Sequence, residues 1–210
     1  MAGDASTTPW RILARACAHE GDHVGACEAL EQAWRVSGER EVEARLLQAR
    51  LLGRSGRFEA ALALLDALPE LPAQEASTRS QLAAVQRLRL GDLAGSCREA
   101  EAAVQAAPSD PRARGLRARL RALAGDADGA RSDLARLEEM APGSLTLLAD
   151  RATLRDQAGA RAEADADWAR VVAQAGEDPE GFVWQLLWSG RDDETRQVAE
   201  PALQGRPRHP

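Results

Sequence analysis

The sequence predicts an all-α array of stacked helical hairpins, and three observations predict it. A glycine returns on schedule, at Gly21, Gly56, Gly91, Gly125 and Gly159, with intervals of 35, 35, 34 and 34 residues; a fixed period of this size marks one supersecondary unit repeated. Helix formers (Ala, Leu, Arg, Glu, Gln) fill most positions, while β-branched and aromatic residues are scarce, the aromatics at 3%. No run alternates polar and apolar residues with the period of two that a strand needs. At 210 residues, 44% hydrophobic and 29% charged, the composition is that of an ordinary soluble chain rather than a disordered one. The repeat decides for one short solenoid over compact domains.

Setting each glycine as the fifteenth position of its period divides the chain into units 7–41, 42–76, 77–110, 111–144 and 145–178. In each, a helix A of about fourteen residues runs up to the glycine and a helix B follows. In the first unit Gly21 ends helix A by taking the left-handed conformation without steric cost. Asp22 then stands where a carboxylate accepts the free N–H groups opening helix B. The second unit turns at Gly56 with Arg57 in that place, so its cap is expected to be poorer. The third and fourth turn at Gly91-Asp92 and Gly125-Asp126, and Pro108 and Pro142 terminate their B helices. The fifth turns at Gly159 with Ala160, again uncapped. Two rows of small residues recur in register: Ala14, Ala49, Ala84, Ala118 and Ala152 in helix A, and Ala26, Ala61, Ser96, Ala130 and Ala164 in helix B. They mark the close crossing of the two helices. Larger apolar residues follow in helix B, among them Leu30, Leu65, Leu134 and Trp168.

These residues resemble the tetratricopeptide-repeat family over residues 7 to about 178. Trp10, Leu13, Ala14, Gly21, Ala26, Leu30 and Ala33 of the first unit carry the pattern, and Phe58 and Leu93 take its apolar position two after the glycine. Departures are Arg45, Ser80 and Arg114 at the large position of helix A, and Cys17 where a Tyr is common. The resemblance implies a right-handed superhelical solenoid of antiparallel helix-turn-helix repeats. Helix A would line its concave groove and helix B its convex back.

After the fifth unit the texture changes. Phe182–Trp188 reads as a short apolar helix, and Asp192–Glu200 as a polar one stopped by Pro201. Residues 179–203 are expected to cap the open end of the solenoid. The sharper alternative is a second interface through Phe182, Trp184, Leu187 and Trp188, the two tryptophans standing four apart on one helical face. Residues 1–6 and 204–210 are expected to be disordered.

The N-terminus lacks the basic start and apolar stretch of a secretory signal. The longest apolar run, of seven residues, is far short of a membrane span. Cys17, Cys27 and Cys97 give no disulfide framework and read as reduced thiols of a cytoplasmic protein. All 27 basic residues are Arg, with Lys, Asn and Tyr absent. Those three have AT-rich codons, so a GC-rich bacterial genome is the simplest cause.

Little points to chemistry. Cys17, His19, His23 and Cys27 mimic a metal-ligand spacing. In the repeat register, however, Cys17 and His23 are packing positions, and Cys97 occupies the slot of Cys27 with no histidine near it. No metal or other cofactor is expected. Glu163, Asp165 and Asp167 lie beside Arg161 and Arg170, the pattern of a solvated face. No phosphate-binding loop, dinucleotide-binding glycine pattern or nucleophile elbow appears, so the chain is read as no enzyme.

Charge, in contrast, is sorted between the helices. Helix A segments carry 15 Arg and 4 acidic residues; helix B segments carry 6 Arg and 15 acidic residues. By the family's register the groove would present Arg11, Arg15, Arg50, Arg54, Arg89, Arg112 and Arg119. Guanidinium forks suit bidentate capture of a carboxylate, so the expected partner is another protein offering an acidic or extended segment. The competing reading is that these Arg pair with helix B acids of the neighbouring unit. Nucleic acid is disfavoured by a net charge of −6 and few stacking aromatics. The family's clamp for acidic chaperone C-termini is not matched: the corresponding positions are Arg11, Arg15, Leu47, Thr78 and Leu82, without its Asn and third-helix cation. The functional expectation is a scaffold, adaptor or chaperone-like assembly factor. The alternatives are a self-assembling module working through the Trp184/Trp188 patch, and the repeat domain of a larger enzyme or synthase.

Overall fold

The computed structural model describes residues 7–38, 41–140, 143–157 and 159–174, together with Asp193 and Arg196. Among these residues every regular element is an α-helix: α1 (Thr8–His19), α2 (His23–Val36), α3 (Val42–Arg54), α4 (Phe58–Asp66), α5 (Ala73–Arg89), α6 (Leu93–Ala106), α7 (Pro111–Leu123), α8 (Ala127–Met140), α9 (Leu145–Gln157) and α10 (Arg161–Gln174). Odd-numbered helices are the A helices and even-numbered ones the B helices.

The turns follow from local chemistry. All five recurring glycines sit at positive φ, between 75° and 84°, where a Cβ would meet the following carbonyl. The aspartates behind them cap as expected: Asp22, Asp92 and Asp126 accept from the backbone N–H of Gly25, Gly95 and Gly129 at 2.9, 2.7 and 2.9 Å. A Cβ on those three acceptor-facing glycines would fall 2.2, 1.9 and 2.1 Å from the capping carboxylate. The turn motif is therefore Gly-Asp-x-x-Gly, and its second glycine is as much a part of it as the first. Arg57 gives α4 no side-chain cap.

Prolines shift two boundaries. α4 stops at Asp66, short of Pro69, because the residue before a proline is pushed out of the helical region. α5 begins at Ala73 directly behind Pro72, one turn earlier than the repeat register places it. Proline there fixes φ without removing a needed hydrogen bond.

The chain forms two compact units, residues 1–116 and 117–210. In the first, the small residues of the crossing rows are essentially excluded from water: Ala14, Ala26, Ala49, Ala61, Ala84 and Ser96 are all at 1% exposure or less. Ser96 satisfies its buried hydroxyl by donating to the Ala84 carbonyl across the crossing, at 2.7 Å. Leu30, Leu51, Leu52 and Leu65 fill the layers around them. The second unit buries Leu134 and Leu137 against Ala118, and Trp168 and Val171 against Ala149, Ala152 and Ala164. The indole N–H of Trp168 donates to Asp156 at 2.9 Å, so the largest core side chain is fully satisfied.

The departures from the family pattern have physical substitutes. Arg45, where the first unit has Trp10, lies over the Trp34 ring at 4.7 Å and pairs with Glu31. A cation on an aromatic face thus replaces an apolar ring between the first two repeats. Arg114 donates to the Pro108 carbonyl at 3.0 Å.

Candidate functional site

Much of the charge sorted between A and B helices is paired within the fold. Arg117 holds Asp133 with two hydrogen bonds of 2.8 and 2.5 Å, and Arg121 reaches the same carboxylate at 2.9 Å. One period later Arg151 and Arg155 converge on Asp167 in the same way. Both aspartates are almost entirely buried. Hydrogen bonding to Asp167 holds the Arg151 guanidinium above its ordinary pKa against the opposing effect of burial, with Glu138 adding to it. Arg87 and Arg79 approach Glu99 at 3.5 and 3.6 Å in the third repeat. Between repeats, Arg79 reaches Asp66 and Arg45 reaches Glu31. Burial raises the Glu31 carboxyl, but the hydrogen bonds from Arg45, Arg35 and Gln48 outweigh it and keep its pKa below the usual range. The pairing reading therefore accounts for much of the segregation, within repeats as well as between neighbours.

The seven arginines expected to line a groove divide on this test. Arg11 is engaged by Glu41 at 3.3 Å and Glu43 at 3.1 Å, and Arg119 lies 3.8 Å from Asp150. Arg15, Arg50, Arg54, Arg89 and Arg112 are exposed, and their side chains have no ion-pair partner among the described residues. Arg54 and Arg89 stand in the last turns of α3 and α5, where a cation also complements the helix dipole. Arg15 and Arg50 lie farther from the helix ends.

These two share a depression of about 340 Å³ in the first unit, lined by Arg11 and Arg15 of α1, Arg50 and Leu47 of α3, and Gln74 and Thr78 of α5. Its apolar lining is Leu30, Ala44, Leu46 and Leu47; the register extends the row of Leu47 along the A helices. Position six of successive A helices is Ile12, Leu47 and Leu82, and position nine, one turn on, is Arg15, Arg50 and Val85. Ile12 is 64% exposed and Val85 38%. An apolar row thus runs beside a row that begins with two cations. Toward the N-terminal ends of α3 and α5 the same depression carries Glu43 and Glu75, so one edge is acidic and the other basic. In the second unit the contrast is plain. There a depression of about 800 Å³ is lined by Arg151 and Arg155, but both are committed to Asp167.

Sequence reasoning missed Gln74 and Glu75, because the register starts the third helix A at residue 77. The signal was Pro72, which marks the earlier start. Phe182, Trp184, Leu187 and Trp188 lie outside the described residues. Cys17 and Cys27 pack against the first unit's core, and burial raises the pKa of the Cys27 thiol, partly offset by Arg57. Among the described residues no group of three metal-binding side chains converges, and no helix is long and apolar enough to cross a membrane.

A tetratricopeptide-repeat family model matches residues 18–89. No curated protein sequence matches the chain. Solved structures do. A tetratricopeptide-repeat protein from Parabacteroides merdae superposes with a TM-score of 0.65 at 16% identity, over 96% of this chain and 80% of that one. The thermophilic protein TTC0263 of Thermus thermophilus gives 0.65 at 20% identity, over 94% and 100%. YrrB, described as a TPR protein with an unusual peptide-binding site, gives 0.56 at 18% identity, over 88% and 95%. The shared fold is an all-α solenoid of antiparallel helical hairpins.

Proposed function

We propose that this chain, whose residues 18–89 match a tetratricopeptide-repeat family model and whose fold is that of tetratricopeptide-repeat proteins, is a protein-interaction scaffold or adaptor. It holds an acidic or extended segment of its partner on the A-helix face of the first unit. The observation that carries this reading is the pair Arg15 and Arg50: two exposed guanidinium groups with no ion-pair partner among the described residues, beside an apolar row, where most of the other A-helix cations described are paired. Exposed cations of this kind favour fast, salt-sensitive capture of an acidic chain. The likeness to a fold that in YrrB bears a peptide-binding site supports it. That Cys17, Cys27 and Cys97 are all free of disulfides fits a cytoplasmic setting, which is part of this reading. No catalytic role is proposed.

The test uses an extended Asp/Leu-rich peptide and its Lys-for-Asp counterpart, titrated at low and high salt. The acidic peptide should bind, more weakly as salt rises, and its counterpart should not. Arg50→Glu with Arg89→Glu should abolish binding while leaving helicity intact. Affinity unchanged in that double variant would sink the reading.

A further inference from the structure

The first helix leaves open a face that later A helices bury. In α3 the third, seventh and tenth repeat positions are Ala44, Gln48 and Leu51, at 3%, 8% and 3% exposure. Ala44 and Leu51 pack on α2, and Gln48 donates to the Cys27 carbonyl of that helix. In α7 the third and tenth positions, Ala113 and Leu120, are at 0% and 1%. The same positions of α1 are Pro9, Leu13 and Ala16, and all three are exposed. Leu13 stands at 46% and Ile12 beside it at 64%. An apolar stripe one helix long thus faces solvent, with its residues at the helical spacing of three and four.

Inside the array the element that covers this face is the preceding B helix, through a row such as Ala29, Leu30 and Ala33 of α2. The described B helices have no comparable row left open. Those three residues are at 3% or less, Leu65 and Leu137 at 0%, and Trp168 and Val171 of α10 also at 0%. A second copy therefore has no B helix to stack head to tail on α1; what it presents is the same open stripe. A surface that meets its own copy makes a closed two-fold dimer.

The stripe complements itself when two α1 helices run antiparallel. Setting Leu13 against Ala16 of the second copy puts a large side chain beside a small one, twice by symmetry. The same register carries Glu20 of one copy to Pro9 at the start of the other's helix. Glu20 is exposed, has no ion-pair partner among the described residues, and stands at the C-cap of α1, the unfavourable end of its own helix dipole. The start of α1 has no side-chain cap, and the Thr7 hydroxyl donates to Glu41 instead. In the antiparallel pair each carboxylate meets the positive end of the facing helix.

We propose that this chain forms a two-fold dimer in which the α1 helices of two copies pack antiparallel through Ile12, Leu13 and Ala16. A helix of 12 residues is about 18 Å long, so the contact belongs to the small, weak class and dissociates on dilution.

Sedimentation equilibrium of the full chain between about 1 μM and 1 mM should show a monomer–dimer equilibrium. Ile12→Glu should weaken association about tenfold or more, because the dimer would bury an unpaired charge, while the thermal melt followed by circular dichroism stays in place. Ala16→Glu should do the same from the facing position. Glu20→Gln distinguishes the two orientations: it should weaken an antiparallel dimer about threefold or more, and would strengthen a parallel one, in which the two carboxylates lie side by side. A monomer at every concentration, assembly beyond the dimer, or a dimer indifferent to both Ile12→Glu and Ala16→Glu overturns the proposal. Tighter association of Glu20→Gln overturns the antiparallel arrangement.

Discussion

Arg151 closes on Asp167 with both arms of its guanidinium, Nε to Oδ2 and Nη2 to Oδ1, each at 2.7 Å. The carboxylate is 3% exposed and has Arg155 as its second cation. Helix A and helix B of the hairpin are thereby clasped along their length by charge as well as by the Ala152 and Ala164 crossing.

Removing the acid leaves two guanidinium groups without their partner. Asp167→Ala is expected to cost about 3 kcal/mol, at the lower end for breaking a buried pair. Glu138→Ala, which removes an exposed partner of the same Arg151, should cost under about 1 kcal/mol. Urea denaturation of the two variants checks the ranking; equal costs would mean that burial of Asp167 is not what gives the pair its weight.

The turns offer a gain. Asp126 caps α8 through Gly129, and Asp126→Ala should lose about 1 kcal/mol. Arg57 occupies the same place in the second repeat without capping. Arg57→Asp should therefore stabilise the chain by a fraction of that amount, also by bringing negative charge to a helix N-terminus. Thermal melts of the two single variants should move in opposite directions.

Glu31 supplies a pH dependence. Its folded pKa lies below its unfolded one because Arg45, Arg35 and Gln48 bind the ionised form. The stability it contributes is present above the unfolded carboxylate pKa of about 4.3 and lost as pH falls through the lower folded value. The melting-temperature difference between the wild type and Glu31→Gln should be largest near neutrality and close as the solution is acidified below pH about 4. A difference that persists at the acid end would assign the effect to packing rather than to charge.

Much of the hairpin was legible because its determinants are local. Gly21 and Asp22 dictate a turn from their own backbone freedom and side-chain reach, and the alanine rows announce a crossing because only small residues fit there. The early start of α5 was equally local, written in Pro72, although the period concealed it. The site was legible only in outline. The resemblance implied that helix A lines a groove, and the structure brings three of the arginines expected there, Arg11, Arg15 and Arg50, to one depression.

Which of those arginines stands free is another matter. Arg11 and Arg15 are one turn apart on α1 and chemically identical, yet Glu41 at the end of the same repeat and Glu43 of the next come to Arg11, and among the described residues no acid pairs with Arg15. Likewise the sorted charge of Arg117, Arg121 and Asp133 reads in sequence as either groove or clasp. The sequence by itself determined the helices, their turns and the period that stacks them, since propensity, capping and steric size act between neighbours in the chain. Only the tertiary structure decided which charges are neutralised. An ion pair depends on distances between side chains from different helices, and those distances exist only once the helices have packed.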